Sequence, residues 1–197
     1  MYLMKKLNLL LIILSVCCLS ISGKEIHDVQ SFNQNWKFTL ADSTLNASTT
    51  IFNDVSWRNL NLPHDWSIES DFGKDFPASP GGGALPGGIG WYRKSFIVDK
   101  TNKDKKVYID FDGVYRNSEV WINGTSVGKR PYGYISFRYD LTPFIKFGEK
   151  NVIAVKADNS KQPNSRWYSG SGIFRNVWLT ILSTVHVDHW GTYVTTP

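Results

Sequence analysis

The sequence contains very little cysteine. The only two, Cys17 and Cys18, lie among the first 18 of 197 residues. If the chain is cleaved after Cys18, the mature protein has no thiol. That would exclude disulfides, cysteine nucleophiles, redox pairs and zinc sites built from cysteine. A chain without such cross-links needs a large hydrophobic core to fold.

Long apolar runs are also missing. The N-terminal run from Leu7 to Val16 follows two lysines and precedes small residues that end at Gly23. A membrane span needs about 20 apolar residues, whereas this layout is typical of a signal peptide. We therefore predict that residues 1–23 export the protein to the periplasm or cell surface, with no stable membrane span. A retained anchor helix and a lipoprotein signal that uses Cys17 or Cys18 stay open as alternatives.

The excess of positive charge is small. The formal net charge is +5, from 22 basic and 17 acidic residues. Two of the basic residues, Lys5 and Lys6, belong to the predicted signal, and those that remain are scattered apart from a cluster around Lys105. A nucleic-acid partner is therefore not expected, since such proteins concentrate basic residues on one surface.

The residue pattern in the rest of the chain predicts short β-strands. Apolar residues alternate with polar ones in segments 36–40, 107–111 and 177–181, which predicts half-buried strands. Segment 152–155 is continuously apolar, as in a central strand. Asn123-Gly124 lies between two apolar runs and predicts a two-residue hairpin turn. Roughly eight to ten strands at this spacing indicate an all-β fold, an antiparallel β-sandwich or jelly roll.

A glycine- and proline-rich stretch interrupts this pattern between Asp71 and Gly90. We expect a long loop there, and loops of this length in a compact domain are usually functional or mobile. It is not a phosphate-binding loop, because Gly90 leads into an apparent strand, Trp91-Tyr92-Arg93, rather than into Lys-Ser/Thr and a helix.

Five motifs in a fixed order carry a family resemblance. They are Phe52–Trp57, Leu62–Trp66, Phe111–Gly124, Asp158–Ser160 and Ser171–Leu179. Together they resemble the N-terminal sugar-binding jelly roll, a galactose-binding-like fold, of glycoside hydrolase family 2. The details are most similar to bacterial β-galactosidases. The resemblance covers about residues 30 to 183, and residues 185–197 are similar to the first strand of the immunoglobulin-like domain that follows.

The resemblance implies a division of the chain and of its function. Residues 1–23 would be the signal peptide, 24–183 the sugar-binding domain, and 184–197 a linker and first strand; a short tail docked on the sandwich is the alternative for the last segment. In the family, two catalytic glutamates hydrolyse O-glycosyl bonds from a later (β/α)8 barrel. A barrel needs about 250 residues, so we expect this chain to be truncated before it and inactive alone, with no cofactor.

Two stretches are candidates for contacts to a terminal β-galactoside or related glycoside. The first contains Tyr115 and Asn117, whose side chains would share one face if the stretch were a strand. The resemblance places the substrate-contacting asparagine directly after the Asp112–Val114 turn, where this chain has Tyr115. For Asn117, the alternative is that its amide only satisfies backbone groups.

The second stretch contains Arg166 and Trp167, a guanidinium beside an indole that could stack on a sugar and donate to its hydroxyls. A core position for Trp167 is the alternative. Some family members hold an alkali cation through an aspartate here. We expect no metal site, because residues 160–176 contain no acidic side chain.

His64 and Asp65 form a third candidate. Adjacent residues on a strand point to opposite faces, and no serine nucleophile motif accompanies them, so a catalytic relay is not expected. The resemblance places this segment near the active-site side, where it would bind sugar or fix a loop. Two other functions stay open for the whole chain: a free-standing carbohydrate-binding module and a β-sandwich adhesion module.

Overall fold

A computed structural model describes residues 28–196, which form ten β-strands. The predicted signal peptide and both cysteines lie outside the described residues, so export stays a prediction. Among the described residues, no helix is long and apolar enough to cross a membrane. The strands are β1 (Asp28–Ser31), β2 (Trp36–Ala41), β3 (Arg58–Leu60), β4 (Gly88–Ile97), β5 (Lys105–Phe111), β6 (Ser118–Ile122), β7 (Thr125–Arg130), β8 (Phe137–Asp140), β9 (Lys150–Asn159) and β10 (Val177–Ser183).

The strands form two antiparallel sheets. One has four strands in the order β1-β10-β5-β8, and the other has six in the order β3-β2-β4-β9-β6-β7. The chain passes from one sheet to the other between β1 and β2, β4 and β5, β5 and β6, β7 and β8, β8 and β9, and β9 and β10. The all-β, jelly-roll sandwich expected from the sequence is confirmed. Three single-turn 3-10 helices, Trp66–Glu69, Lys100–Asn102 and Thr142–Phe144, lie in the connections.

Apolar residues from the inner faces of both sheets form the main core. In β5, Val107, Ile109 and Phe111 are fully buried and their neighbours are half-buried, as alternation predicts. The continuously apolar segment 152–155 lies in β9, between β4 and β6. Both faces of this strand are covered, which explains the lack of alternation: Ile153 and Val155 belong to the main core, and Ala154 belongs to a smaller apolar cluster on the other face of the sheet.

The predicted hairpin is also confirmed. Asn123 and Gly124 connect β6 to β7 with φ angles of 51° and 87°, the positive values that a type I′ turn requires. The Asn123 side chain also accepts a hydrogen bond from the Val152 amide at 2.9 Å. The turn is thereby fixed to the neighbouring strand β9.

A smaller apolar cluster covers the outer face of the six-stranded sheet. It includes Trp91 of β4 and Ala47, which belongs to the long β2–β3 connection. Arg93 fixes this connection, because its buried guanidinium donates to the Asp54 carboxylate at 2.8 Å and to the carbonyls of Ala47 and Thr49. A buried arginine of this kind is fully paired and has a structural role.

Two segments differ from the strands that the sequence predicts. Residues 115–117 precede β6 and form no strand; they contain an isolated β-bridge from Tyr115 to Gly172, while Asn117 has a φ of 43°. The two side chains therefore do not lie on one strand face. Residues 185–190 form no strand among the described residues, since an extended segment needs a partner strand for its backbone hydrogen bonds. That they begin a further domain stays a prediction.

The strand register brings four connections to one end of the sandwich. Gly88 pairs with Asn159, Ser118 with Arg130, and Phe111 with both Val177 and Phe137. The connections that leave these strand ends are residues 61–87, 112–117, 131–136 and 160–176. All three candidate stretches from the sequence lie in them, and we call this end of the domain the loop end.

Candidate sugar-binding site

Backbone hydrogen bonds join three of these connections. Tyr115 and Gly172 exchange two of them, with N–O distances of 2.9 and 2.7 Å. The Asn117 amide donates to the Pro131 carbonyl at 3.2 Å. Segments that are distant in sequence are thus fixed side by side, and they surround a pocket.

This pocket has a volume of about 240 Å³, and its walls are largely aromatic. The side chains of Tyr132 and Trp167 are 63% and 61% exposed, whereas Tyr115 is buried beneath them. Tyr134 connects them: its ring centroid lies 5.2 Å from that of Tyr115, and its hydroxyl lies 3.4 Å from Trp167 Nε1. Arg116, Pro131, Gly133, Asn164 and Ser165 complete the lining. Exposed aromatic faces around a concave site are suited to the apolar faces of sugar rings.

The structure brings two of the sequence candidates, Tyr115 and Trp167, together at this pocket. The high exposure of Trp167 rules out the alternative of a core position. Tyr115 contributes a buried wall, and its hydroxyl donates to Asn164 Oδ1 at 3.2 Å. Arg166 is exposed beside Trp167 and is not part of the pocket lining.

The Asn117 side chain has a different partner. Its amide nitrogen donates to the Asp158 carbonyl at 3.1 Å, and its backbone has the left-handed conformation that asparagine tolerates well. Asn117 does not line the pocket. Its contacts hold the start of β6 against the end of β9.

His64 also lies at the loop end, in a hydrogen-bond network that is separate from the pocket lining. Its Nδ1 is 2.7 Å from the Tyr92 hydroxyl, and its Nε2 is 3.2 Å from a Glu69 oxygen. Arg58 donates to the other Glu69 oxygen at 2.7 Å. Burial lowers the pKa of His64, and the nearby Glu69 carboxylate opposes that effect only in part. The Arg58 guanidinium also lies 3.1 Å from Nε2. The arrangement suits a neutral imidazole, with Tyr92 at Nδ1 and both Arg58 and Glu69 at Nε2.

Asp65 points elsewhere and connects three segments. Its Oδ1 accepts from the backbone amides of Ser67 at 3.0 Å and Ser171 at 2.9 Å. Its Oδ2 accepts from the Tyr168 hydroxyl, whose pKa is raised by burial and by this carboxylate. Asp65 therefore caps the helix Trp66–Glu69 and fixes the segment that carries Trp167.

The burial of His64 makes the stability of the domain depend on pH. The pKa of His64 is lower in the folded state than its usual 6.5, so below that value the unfolded chain binds more protons. Stability should be complete above pH 6.5 and should decline as pH falls through the folded-state pKa. Urea unfolding between pH 8 and pH 5 measures this decline.

Substitution separates His64 from the other titrating groups. His64→Gln keeps a hydrogen-bonding side chain that cannot titrate, so its stability should change less between pH 7 and pH 5 than that of the unsubstituted protein. His189→Gln, at an exposed position, serves as the control and should keep the original slope. Equal slopes for all three proteins would contradict the assignment to His64.

Sequence reasoning missed connection 131–136, which gives the pocket two of its aromatic residues, Tyr132 and Tyr134. A signal was present, since two tyrosines flank a glycine directly after Pro131, in a turn-forming segment between two strands. Exposed aromatic side chains in a turn are a signal for contact with a partner. Among residues 28–196, no three His, Cys, Asp or Glu side chains come close enough to hold a metal ion.

Comparisons with known proteins identify the family of the domain. Residues 29–183 match the family model of the sugar-binding domain of family 2 glycosyl hydrolases. A β-galactosidase of Bacteroides ovatus is 59% identical over 179 residues, which is 91% of this chain and 21% of the relative. A putative β-glucuronidase of Formosa agariphila is 47% identical over 186 residues, 94% of this chain and 18% of that protein.

A solved structure supports the same assignment. The crystal structure of a family 2 glycosyl hydrolase from Bacteroides cellulosilyticus superimposes with a TM-score of 0.81 at 40% identity, covering 86% of this chain and 22% of that one. The chain thus spans about a fifth of the length of the curated relatives that it matches. On its motifs, its fold and these matches, the chain belongs to the sugar-binding domain family of the family 2 glycoside hydrolases.

Proposed function

We propose that this domain binds the sugar substrate of a β-galactosidase-like family 2 glycosidase without itself carrying the catalytic groups. The pocket with Tyr132, Tyr134 and Trp167 on its walls is the observation that carries the proposal, because exposed aromatic rings surround a site large enough for one pyranose. The full enzyme would hydrolyse O-glycosyl bonds, and this pocket would form one wall of its substrate site.

The choice of a β-galactoside rests on similarity. The match to the Bacteroides ovatus β-galactosidase is considerably higher, at 59%, than the 47% match to the putative β-glucuronidase. Both comparisons concern only the part of those proteins that this chain covers. A terminal β-galactoside is therefore the substrate that we propose to test first.

Binding by residues 24–197 tests the proposal. We expect galactose and β-galactosides to shift the Trp167 indole signal in ¹H–¹⁵N NMR spectra, with Kd values in the millimolar range, because one wall of a site binds weakly. Trp167→Ala should abolish binding. Trp190→Ala, an equally exposed indole in the C-terminal segment, is the matched control and should bind as before.

The same protein tests the absence of catalysis. Nitrophenyl galactoside should not be turned over, because retaining hydrolysis needs two carboxyl groups about 5 Å apart, and the pocket lining contains none. Measurable turnover by pure protein would contradict a non-catalytic role.

A free-standing carbohydrate-binding module is the second candidate, since it would use the same exposed aromatics. Calorimetry with galactans separates the two, because a free-standing module should reach micromolar Kd values without another domain. If no sugar binds at any concentration, the proposed function is wrong, and a β-sandwich adhesion module becomes the better explanation.

A further inference from the structure

We infer that Arg116 makes the pocket select a pyranose with an anionic substituent, either a carboxylate or a sulfate, over the corresponding neutral sugar. The inference rests on the proposed function, because it assumes that the pocket receives a sugar. It concerns which sugar unit of a glycan this wall prefers.

The Arg116 guanidinium has no partner in the described part of the chain. Arg116 lines the pocket and is half-buried. None of the side-chain hydrogen bonds or ion pairs among residues 28–196 involves its guanidinium. Its carbon lies 6.0 Å from the centroid of the Tyr115 ring, and its carbonyl accepts from the Asp158 amide at 2.8 Å. The backbone is thus held in place while the N–H groups remain available.

The other polar side chains deep in the pocket are already committed. Asn164 accepts from the Tyr115 hydroxyl and donates to Asn159 Oδ1 at 2.6 Å. The Ser165 hydroxyl donates to the Trp167 carbonyl at 2.5 Å. The guanidinium, with its five donors and no acceptor, is therefore the strongest free polar group of this lining.

The pocket lining offers no charged acceptor for the hydroxyls of a sugar. A sugar hydroxyl both donates and accepts, so a site for neutral sugars pairs donors with carboxylates or amides. No aspartate or glutamate lines this pocket. A carboxylate or sulfate only accepts, and it matches the fork of an arginine in geometry and charge.

The connections that surround the pocket carry a net positive charge, as Arg116 does. Segments 112–117, 131–136 and 160–176, which line the pocket, contain four basic residues and a single acidic one, Asp112. The Asp112 carboxylate accepts from the Trp178 indole at 3.0 Å, on a different side of the domain. A local excess of positive charge raises the concentration of anionic ligands at such a surface.

NMR titration of residues 24–197 with four matched sugars tests the inference. They are galactose, galacturonate, galactose 6-sulfate and the neutral methyl ester of galacturonate. At low salt we expect both anionic sugars to bind about tenfold more tightly than galactose, as for a charge-assisted hydrogen bond, and the ester to bind like galactose. The advantage should shrink at high salt. If only one anion gains, the pocket is specific for that substituent.

Variants assign the effect to Arg116. Arg116→Met should lower the affinity for both anionic sugars to about that for galactose, whereas Arg116→Lys should keep part of the preference. Lys150→Met removes the same charge at an exposed position at the start of β9 and should keep the preference. Equal Kd values for galactose and galacturonate in the unsubstituted protein would overturn the inference but leave sugar binding intact. Absence of binding by all four sugars would overturn both.

Discussion

Replacing Asp65 with alanine should destabilise the domain by about 3 kcal/mol and loosen the segment that carries Trp167. The substitution removes three acceptor contacts at once, those with the amides of Ser67 and Ser171 and with the Tyr168 hydroxyl. Loss of a helix N-cap costs about 1 kcal/mol, and a buried amide left without an acceptor costs about 1–3 kcal/mol more. The shift of the urea unfolding midpoint measures the total.

Asp99 provides a matched control for this effect. Asp99 is the N-cap of another 3-10 helix, Lys100–Asn102. Its side chain accepts hydrogen bonds only from the amide and the hydroxyl of Thr101. Asp99→Ala should therefore cost much less than Asp65→Ala. Asp65→Asn keeps an acceptor for the two amides and should fall between them. Similar losses for Asp65→Ala and Asp99→Ala would show that the contacts between segments contribute nothing.

The same comparison has a functional readout. Because Asp65 fixes Ser171 and Tyr168, its loss should broaden the NMR signal of the Trp167 indole and weaken sugar binding. Asp65 does not line the pocket itself. A sugar affinity unchanged in Asp65→Ala would mean that Trp167 is positioned by Tyr134 and its other neighbours alone.

The strands could be predicted from the sequence because their signals are local. Alternation in residues 107–111 and the Asn123-Gly124 turn depend on neighbours in the chain, and the structure has both where the sequence predicts them. Residues 115–117 were predicted less well, since a positive φ at Asn117 depends on hydrogen bonds to Pro131 and Asp158, which are distant in sequence.

The pocket could be predicted only in part, because it depends on which connections share an end of the sandwich. Trp167 contacts Tyr134, which lies 33 residues away in the sequence. That contact is possible because the chain passes repeatedly between the two sheets. Composition could not distinguish Trp167 from a buried tryptophan such as Trp66 either. Only the placement of connection 160–176 above the core determines that one indole faces solvent and the other does not.

Gly172→Ala should destabilise the domain by about 3 kcal/mol or more, the second large effect that we expect. Gly172 has a φ of 116°, and a Cβ there would lie 2.2 Å from the Tyr92 hydroxyl and 2.9 Å from the His64 carbonyl. A positive φ costs a residue with a side chain about 1–2 kcal/mol. Overpacking against the fully buried Tyr92 adds about 1–3 kcal/mol, because Tyr92 has no space to move.

Two other glycines separate these contributions. Gly148 has a φ of 75°, and the three atoms nearest to its new Cβ belong to the exposed side chain of Lys100. Gly148→Ala should therefore show the backbone cost together with the smaller cost of moving that side chain. A Cβ at Gly81 would meet nothing within 4 Å, so Gly81→Ala should leave the unfolding midpoint almost unchanged. Since Gly172 also pairs with Tyr115 at the pocket wall, only Gly172→Ala should weaken sugar binding as well. If Gly172→Ala lost no more stability than Gly148→Ala, the core would have to rearrange around Tyr92 to accept the new Cβ.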